Sequence, residues 1–349
     1  GDAATGTGIH REHRGGELTD MKNLLETLTR AHGVSGDESA IRATIRQAAE
    51  PYADDITEDA LGNLIVHQKG VGKKIMLAAH MDSVGVIVTH IEKSGFLRFG
   101  AIGGLEAKAL YQTMVRFPNG TVGVIAVEEN KEEKEFKLSD LYLDIGASDR
   151  DEAKTMVSVG DTAAFAGALC WNDSRVMGPY LDNRAGCAVL LEAMQQTQHP
   201  ANDLYYVFTT QEEVGMRGAK PAAWAVDPEY ALAVDVTCPD DQPGALHEAT
   251  TKIGGGAAIK IMDHSVLCHR DVVAKLRQLA DEKDIPAQDD LLKVGGTDAG
   301  VIHVSRGGVR TGGVSIPCRY THSQTELIDL ADLEACVKLV QAFCESEFE

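Results

Sequence analysis

Helix-like and strand-like stretches take turns along this chain, stop alternating between Ser83 and Ala164, and then resume to the end. Few arrangements satisfy that pattern except a layered α/β domain with a smaller β-rich unit inserted into it. Before the interruption, Met21, Leu24, Leu25 and Leu28 make a helical stripe. Ser35 and Glu38 then read as a capping box for a second helix, with Ile41 and Ile45 on its inner face. Residues 63–67 and 75–79 read as strands, the second almost wholly apolar, as a strand covered on both faces is.

Short β-rich pieces fill the interruption: 84–90, 96–99, 114–117 and 120–127, separated by Gly, Asn and Pro. A helical period is expected over 138–143, and the charged run 128–137 reads as an exposed loop. The alternation returns with a helix over 185–195, strands over 204–210, 230–236 and 257–262, a helix over 270–283, a strand over 309–316 and a closing helix over 330–343. The expected division is an α/β domain made of residues 21–82 and 165–349, with residues 83–164 inserted. Residues 1–20, polar and Gly-rich, are expected to be a disordered tail.

A net charge of −20 argues against a nucleic-acid partner, because a phosphate backbone needs a basic footprint. No apolar run approaches the roughly 18 residues of a membrane span. The seven cysteines are scattered and form no CxxC, which disfavours a disulfide scaffold and fits a reducing, cytoplasmic setting.

Five side chains with metal-binding chemistry stand at or soon after strand ends or at a helix start. His80 closes IMLAAH, Asp182 sits in PYLDNRAG before a helix, and Glu213 follows the strand LYYVFTT. Asp235 ends YALAVD, and His322 comes shortly after VSIP. In α/β sheets sites form at the carboxyl ends of strands, so these distant residues can converge. Two imidazoles and three carboxylates without a thiolate suit zinc, cobalt or manganese, and two such ions about 3.5–4 Å apart can activate water and polarise a carbonyl. Glu213 as a ligand leaves adjacent Glu212 free as a general base. Asp82, two residues past His80, is placed to receive that ring's other N–H.

In combination these segments resemble metallopeptidase family 42, the tetrahedral glutamyl and deblocking aminopeptidases. The matching segments are AAHMDSVGVIVTHIEKSGFLRFGAIGG, YLDNRAGC, TTQEEVGMRGA, AVDV, GGTDAG and IPCRYTHSQTE, and the resemblance runs from Met21 to the C-terminus. His80 and Asp182 are 102 residues apart, leaving room for a domain between them, whereas Asp235 and His322 are only 87 apart. Carboxypeptidase-like di-zinc relatives instead place their extra domain before the last histidine, and aspartyl aminopeptidases are usually longer.

The resemblance implies a three-layer α/β catalytic domain of the phosphorylase/hydrolase-like kind, with a dimerisation domain inserted. It implies that Asp182 bridges two metals, that His80 and Asp235 complete one ion, and that Glu213 and His322 complete the other. Glu212 matches the family's general base and Asp82 its supporting aspartate. Peptides would be the substrates, and dimers would assemble into a hollow tetrahedral dodecamer. The family commonly has proline after the HS of the last motif, where this chain has Gln324. The loop Gly295–Gly300 reads equally as a contact for the substrate backbone or a tight turn before a helix. Two other readings remain: a glycoside hydrolase, since some relatives carry an endoglucanase label, and a catalytically silent assembly protein.

Overall fold

A strand that is apolar on both faces demands cover on both sides, and the central sheet receives it. The computed structural model of the protein describes residues 9–132, 135–197 and 199–348. Helices α1 (Ile9–Arg30) and α2 (Ser39–Ala49) precede three strands, β1 (Asp55–Glu58), β2 (Leu64–Gln68) and β3 (Lys74–His80). The chain then leaves the sheet through β4 (Gly85–Ile91), β5 (Leu97–Ile102), α3 (Ala107–Leu110), β6 (Met114–Arg116), β7 (Val122–Val127), β8 (Leu141–Asp144), α4 (Arg150–Met156) and β9 (Thr162–Phe165). It returns by way of β10 (Cys170–Asn172), β11 (Arg175–Gly178), α5 (Leu181–Gln196), β12 (Asp203–Thr209), α6 (Ala219–Val226), β13 (Tyr230–Thr237) and β14 (Ala257–Met262). The last elements are α7 (Arg270–Glu282), β15 (Ala287–Leu291), α8 (Ala299–Ile302), β16 (Arg310–Pro317), β17 (Glu326–Asp329) and α9 (Leu330–Cys344).

Eight strands form a mixed sheet in the order β1-β2-β12-β3-β13-β16-β14-β15. Its centre, β12-β3-β13-β16, is parallel, so four carboxyl ends open on the same edge. The register sets Thr209 level with His80 and Ser315 level with Asp235. Along β3, Ile75, Leu77 and Ala79 join a large core with α1, α2, α5, α7 and α9, while Met76 and Ala78 face a smaller one with α6 and α8. Alternate side chains of one strand thus anchor helices on opposite faces of the sheet.

Strands β4 to β9 close into a barrel in the order β4-β5-β8-β7-β6-β9. It has its own core, in which Val86, Leu97, Ile125 and Leu143 are buried. Closure removes the free strand edges that so many short pieces would otherwise expose.

Three local expectations are corrected. Residues 9–20, expected in a disordered tail, belong to α1, and residues 1–8 lie outside the described residues. No proline interrupts the run from Ile9, and extending a helix already anchored by buried Met21, Leu25 and Leu28 is far easier than starting one. The expected helix over 138–143 is a single 3-10 turn, Leu138–Asp140, followed by β8, where Leu141 and Leu143 alternate inward. The capping box of Ser35 and Glu38 does not form. Glu38 is the N-cap of α2 without a side-chain capping bond, and the Ser35 hydroxyl donates to Asp82 Oδ2 at 2.6 Å.

Candidate metal centre

The parallel edge gathers the side chains that the motifs singled out. His80 comes from the end of β3, Asp235 from β13, Glu212 and Glu213 from the turn after β12, Asp182 from the first residues of α5, and His322 from the loop between β16 and β17. His80 Nε2 lies 3.2 Å from Asp182 Oδ1, 3.5 Å from Asp235 Oδ1 and 3.7 Å from Glu212 Oε2. His322 Nε2 lies 3.2 Å from Asp182 Oδ2 and 3.1 Å from Glu213 Oε2. One carboxylate therefore turns each of its oxygens to a different imidazole.

Both rings are held from behind. His80 Nδ1 donates to the Asp82 carbonyl at 3.0 Å, and His322 Nδ1 donates to the Gly104 carbonyl at 2.8 Å. A carbonyl can only accept, so Nδ1 carries a proton in each ring, and Nε2 is the nitrogen that faces the carboxylates. Gly104 belongs to the segment that links β5 to α3, and a Cβ there would lie 3.3 Å from His322 Nδ1. Asp82 is fully buried. Its carbonyl, rather than its carboxylate, makes the closer contact with the His80 ring, since Oδ1 stands 3.4 Å from Nδ1. The carboxylate instead accepts the backbone N–H groups of Glu212 at 3.0 Å and Glu213 at 3.2 Å.

The electrostatics show more anion than the pocket's own cations balance. Burial raises the Glu212 carboxyl well above the usual range, with Asp235, Glu213 and Asp298 adding to the rise against the pull of His80. Glu213 is pushed up to about 7, by burial first and the Asp182 charge second. Asp235 is raised by burial against the opposing pull of His80. Asp182 moves the other way: burial works against ionisation, but the hydrogen bonds of His322 and His80 hold it below the ordinary value. Burial would lower His322, yet Asp182 and Glu213 carry it up to about 12. Glu213 Oε1 is buried with no hydrogen-bond partner. Such an orphaned acceptor among crowded carboxylates and forward-facing imidazole nitrogens fits divalent cations. Among the described residues, two sets of ligand atoms lie close enough together to hold one: His80, Asp182 and Glu213, and His80, Glu212 and Asp235.

Sequence reasoning left several residues of this site unassigned. Glu326 is buried, and its two oxygens accept the backbone N–H groups of Asp182 at 2.8 Å and His322 at 2.9 Å. Its signal was the last residue of THSQTE, a motif used only for its histidine. Asp298, within GGTDAG, is buried beside the site and accepts the Thr209 hydroxyl at 2.6 Å; burial pushes its carboxyl up to about 7. The structure bears out the turn before a helix, since Ala299 opens the short helix α8, and it also sets Gly295, Gly296 and Thr297 in the lining of the cavity. The cavity, about 310 Å³, runs from the His80–His322 cluster past Met216 and Cys238 to Lys260, whose ammonium is 3.0 Å from Asp290 and 3.6 Å from Asp263.

Comparison with known proteins comes to the same place. The family model of the M42 glutamyl aminopeptidase matches residues 62–339. A putative aminopeptidase of Acetivibrio thermocellus is 46% identical over 330 residues, covering 94% of this chain and 100% of its own. The solved structure of an aminopeptidase from the archaeon Desulfurococcus kamchatkensis is 37% identical and superposes with a TM-score of 0.90, over 94% of this chain and 95% of that one. The TET1 peptidase of Pyrococcus horikoshii, described as able to assemble into a tetrahedron or a large octahedral shell, is 33% identical with a TM-score of 0.85, over 93% and 99%.

Proposed function

Because the chain belongs to the M42 glutamyl aminopeptidase family and is a hydrolase acting on peptide bonds, we propose that it removes N-terminal residues from peptides using two divalent metal ions that share Asp182. The observation that carries this reading is the division of that carboxylate, with Oδ1 3.2 Å from His80 and Oδ2 3.2 Å from His322. In it, His80 and Asp235 complete one metal site, and Glu213 and His322 the other. Zinc, cobalt and manganese all accept such a set of nitrogen and oxygen donors. When bound, the pair supplies a Lewis acid for the scissile carbonyl and an acidified water.

The chain's own residues supply the proton movements and the aim. Although Glu212 lies close enough to His80 and Asp235 to share an ion with them, this reading keeps it as the proton carrier: burial holds its proton affinity high, which suits a group that takes a proton from water and returns it to the leaving amine. Asp82 touches no substrate in this reading; it holds the backbone of Glu212 and Glu213 and, through its carbonyl, the His80 ring. Glu326 does the same for Asp182 and His322.

Residues 21–82 and 165–349 are assigned to the catalytic unit, and 83–164 to an inserted module for pairing with a second copy. Assembly of such dimers into a tetrahedral shell draws support from the Pyrococcus relative, which can assemble into a tetrahedron. Among the described residues no helix is long and apolar enough to cross a membrane. Five of the seven cysteines are buried free thiols, which suits a reducing cytoplasm.

The glycoside hydrolase reading needs a metal-free carboxylate pair flanking a sugar bond, and here Asp182, Glu213 and Asp235 all stand within 3.5 Å of an imidazole nitrogen. A silent scaffold has no reason to keep the ligands and Glu212 together. Free-amine peptides, their N-acetylated counterparts and cellulose oligomers should be offered side by side. Release of the first residue from the free peptides is expected; sugar release, or no residue released from any peptide, would defeat the aminopeptidase reading.

A further inference from the structure

Four consecutive backbone N–H groups, those of Thr210, Gln211, Glu212 and Glu213, each end on a side-chain oxygen rather than on another peptide. Thr210 N donates to Asn63 Oδ1 at 2.9 Å and Gln211 N to Glu38 Oε1 at 3.2 Å, while Glu212 N and Glu213 N donate to the two oxygens of Asp82. The acceptors are themselves anchored. The Asn63 amide donates to Asp59 Oδ2 at 2.7 Å and to the Gly218 carbonyl at 2.9 Å. Glu38 Oε1 also takes the Gly36 N–H at 2.8 Å, and Asp82 Oδ2 takes the Ser35 hydroxyl at 2.6 Å. Asn63, Glu38 and Asp82 are all buried.

The segment needs this help. Gln211 and Glu212 belong to neither helix nor strand, and Gln211 has φ +53°, a region that side chains other than glycine rarely adopt. Nothing in regular secondary structure holds the carboxylates of Glu212 and Glu213 where they stand. The carboxyl of Glu38 is not spent on its own helix, because it makes no capping bond there. Its two bonds run instead to its own turn and to the Glu212 segment.

We infer that Glu38, Asn63 and Ser35, brought from the turn after α1 and the start of β2, are positioning residues for the hydrolysis. They act through the backbone of residues 210–213 to place Glu212 and Glu213. This rests on the proposed roles of those two glutamates. Reacting groups misplaced by about 1 Å can lose about a hundredfold in rate, so the expected signature is a fall in kcat with substrate binding little changed.

The test compares Glu38→Ala with Glu38→Gln in the full-length protein loaded with metal. Glu38→Ala leaves the Gln211 N–H without its acceptor and should lower kcat by about tenfold to a hundredfold, the range for groups that orient ligands. KM and bound metal should stay at the wild-type values. Glu38→Gln retains a carbonyl oxygen at the same place and should recover kcat to within about threefold, since a neutral acceptor serves an amide donor. Unchanged kcat in Glu38→Ala, a loss seen in KM alone, or no rescue by Gln would each overturn the inference. Where Glu38→Ala fails to fold, Ser35→Ala, which removes the bond to Asp82 and a longer one of 3.4 Å to the Ser83 carbonyl, carries the same kcat expectation. Glu212→Gln is measured alongside. Full activity there defeats the general-base role itself, whereas inactivity there with normal Glu38→Ala defeats only the positioning role.

Discussion

Replacing Glu212 with Gln is expected to lower kcat by about 10²- to 10⁴-fold while KM and metal content stay as in the parent protein, the range general acid–base catalysis supplies. Gln keeps the volume and a carbonyl oxygen but cannot carry the proton between water and the leaving amine. The nearest imidazole nitrogen to Glu212, His80 Nε2, stands at 3.7 Å, beyond the contacts that nitrogen makes with Asp182 and Asp235. Removing its charge should therefore leave the ligand set in place. Steady-state kinetics on an aminoacyl-anilide, with metal counted on the same sample, reads both halves. Turnover within a factor of about ten of the parent would remove Glu212 from the proton-transfer role.

Asp182→Ala should have an effect at least as large, for a different reason. The side chain faces both imidazoles, so its loss takes a donor from both metal sites at once and leaves His80 and His322 without the carboxylate between them. Bound metal should fall from about two ions per chain to one or none, and turnover should fall to background, because a pair of ions acts as a unit. The backbone N–H of residue 182 still has Glu326 to donate to, so the local fold should persist. Metal analysis after gel filtration, with circular dichroism as the control for folding, checks this. Two ions and normal turnover in Asp182→Ala would show that the carboxylate is not shared.

Much of this architecture was legible in the sequence, where the signal was periodic or chemical. Apolar runs such as 75–79 announced strands covered on both faces, and the candidate ligands could be picked out because most of them close or follow such a run, while Asp182 stands at a helix start. What escaped were residues whose role is carried by contacts distant in sequence. Ser35 and Glu38 have the spacing of a helix cap, and the cap is a local bond; instead the Ser35 hydroxyl donates to Asp82 and the Glu38 carboxylate accepts from Gln211, both far along the chain. Glu326 offers no periodic cue, because it acts through the backbone N–H groups of Asp182 and His322. The barrel strands were visible as β-rich pieces, but closure depends on pairings such as β4 with β9 that no single segment reveals. Residues 9–20 failed in the opposite direction: their composition is that of a tail, and the helix they join is secured by buried residues further on.

Metal dependence of N-terminal cleavage tests the central claim most directly. The protein would be stripped with a chelator, titrated with zinc, cobalt or manganese, and assayed at each step on a panel of aminoacyl-anilides and free-amine peptides. Turnover should vanish on stripping and return with added metal, levelling off near about two ions per chain. Turnover untouched by stripping, or absent with every metal across the panel, would contradict a two-metal aminopeptidase built on Asp182.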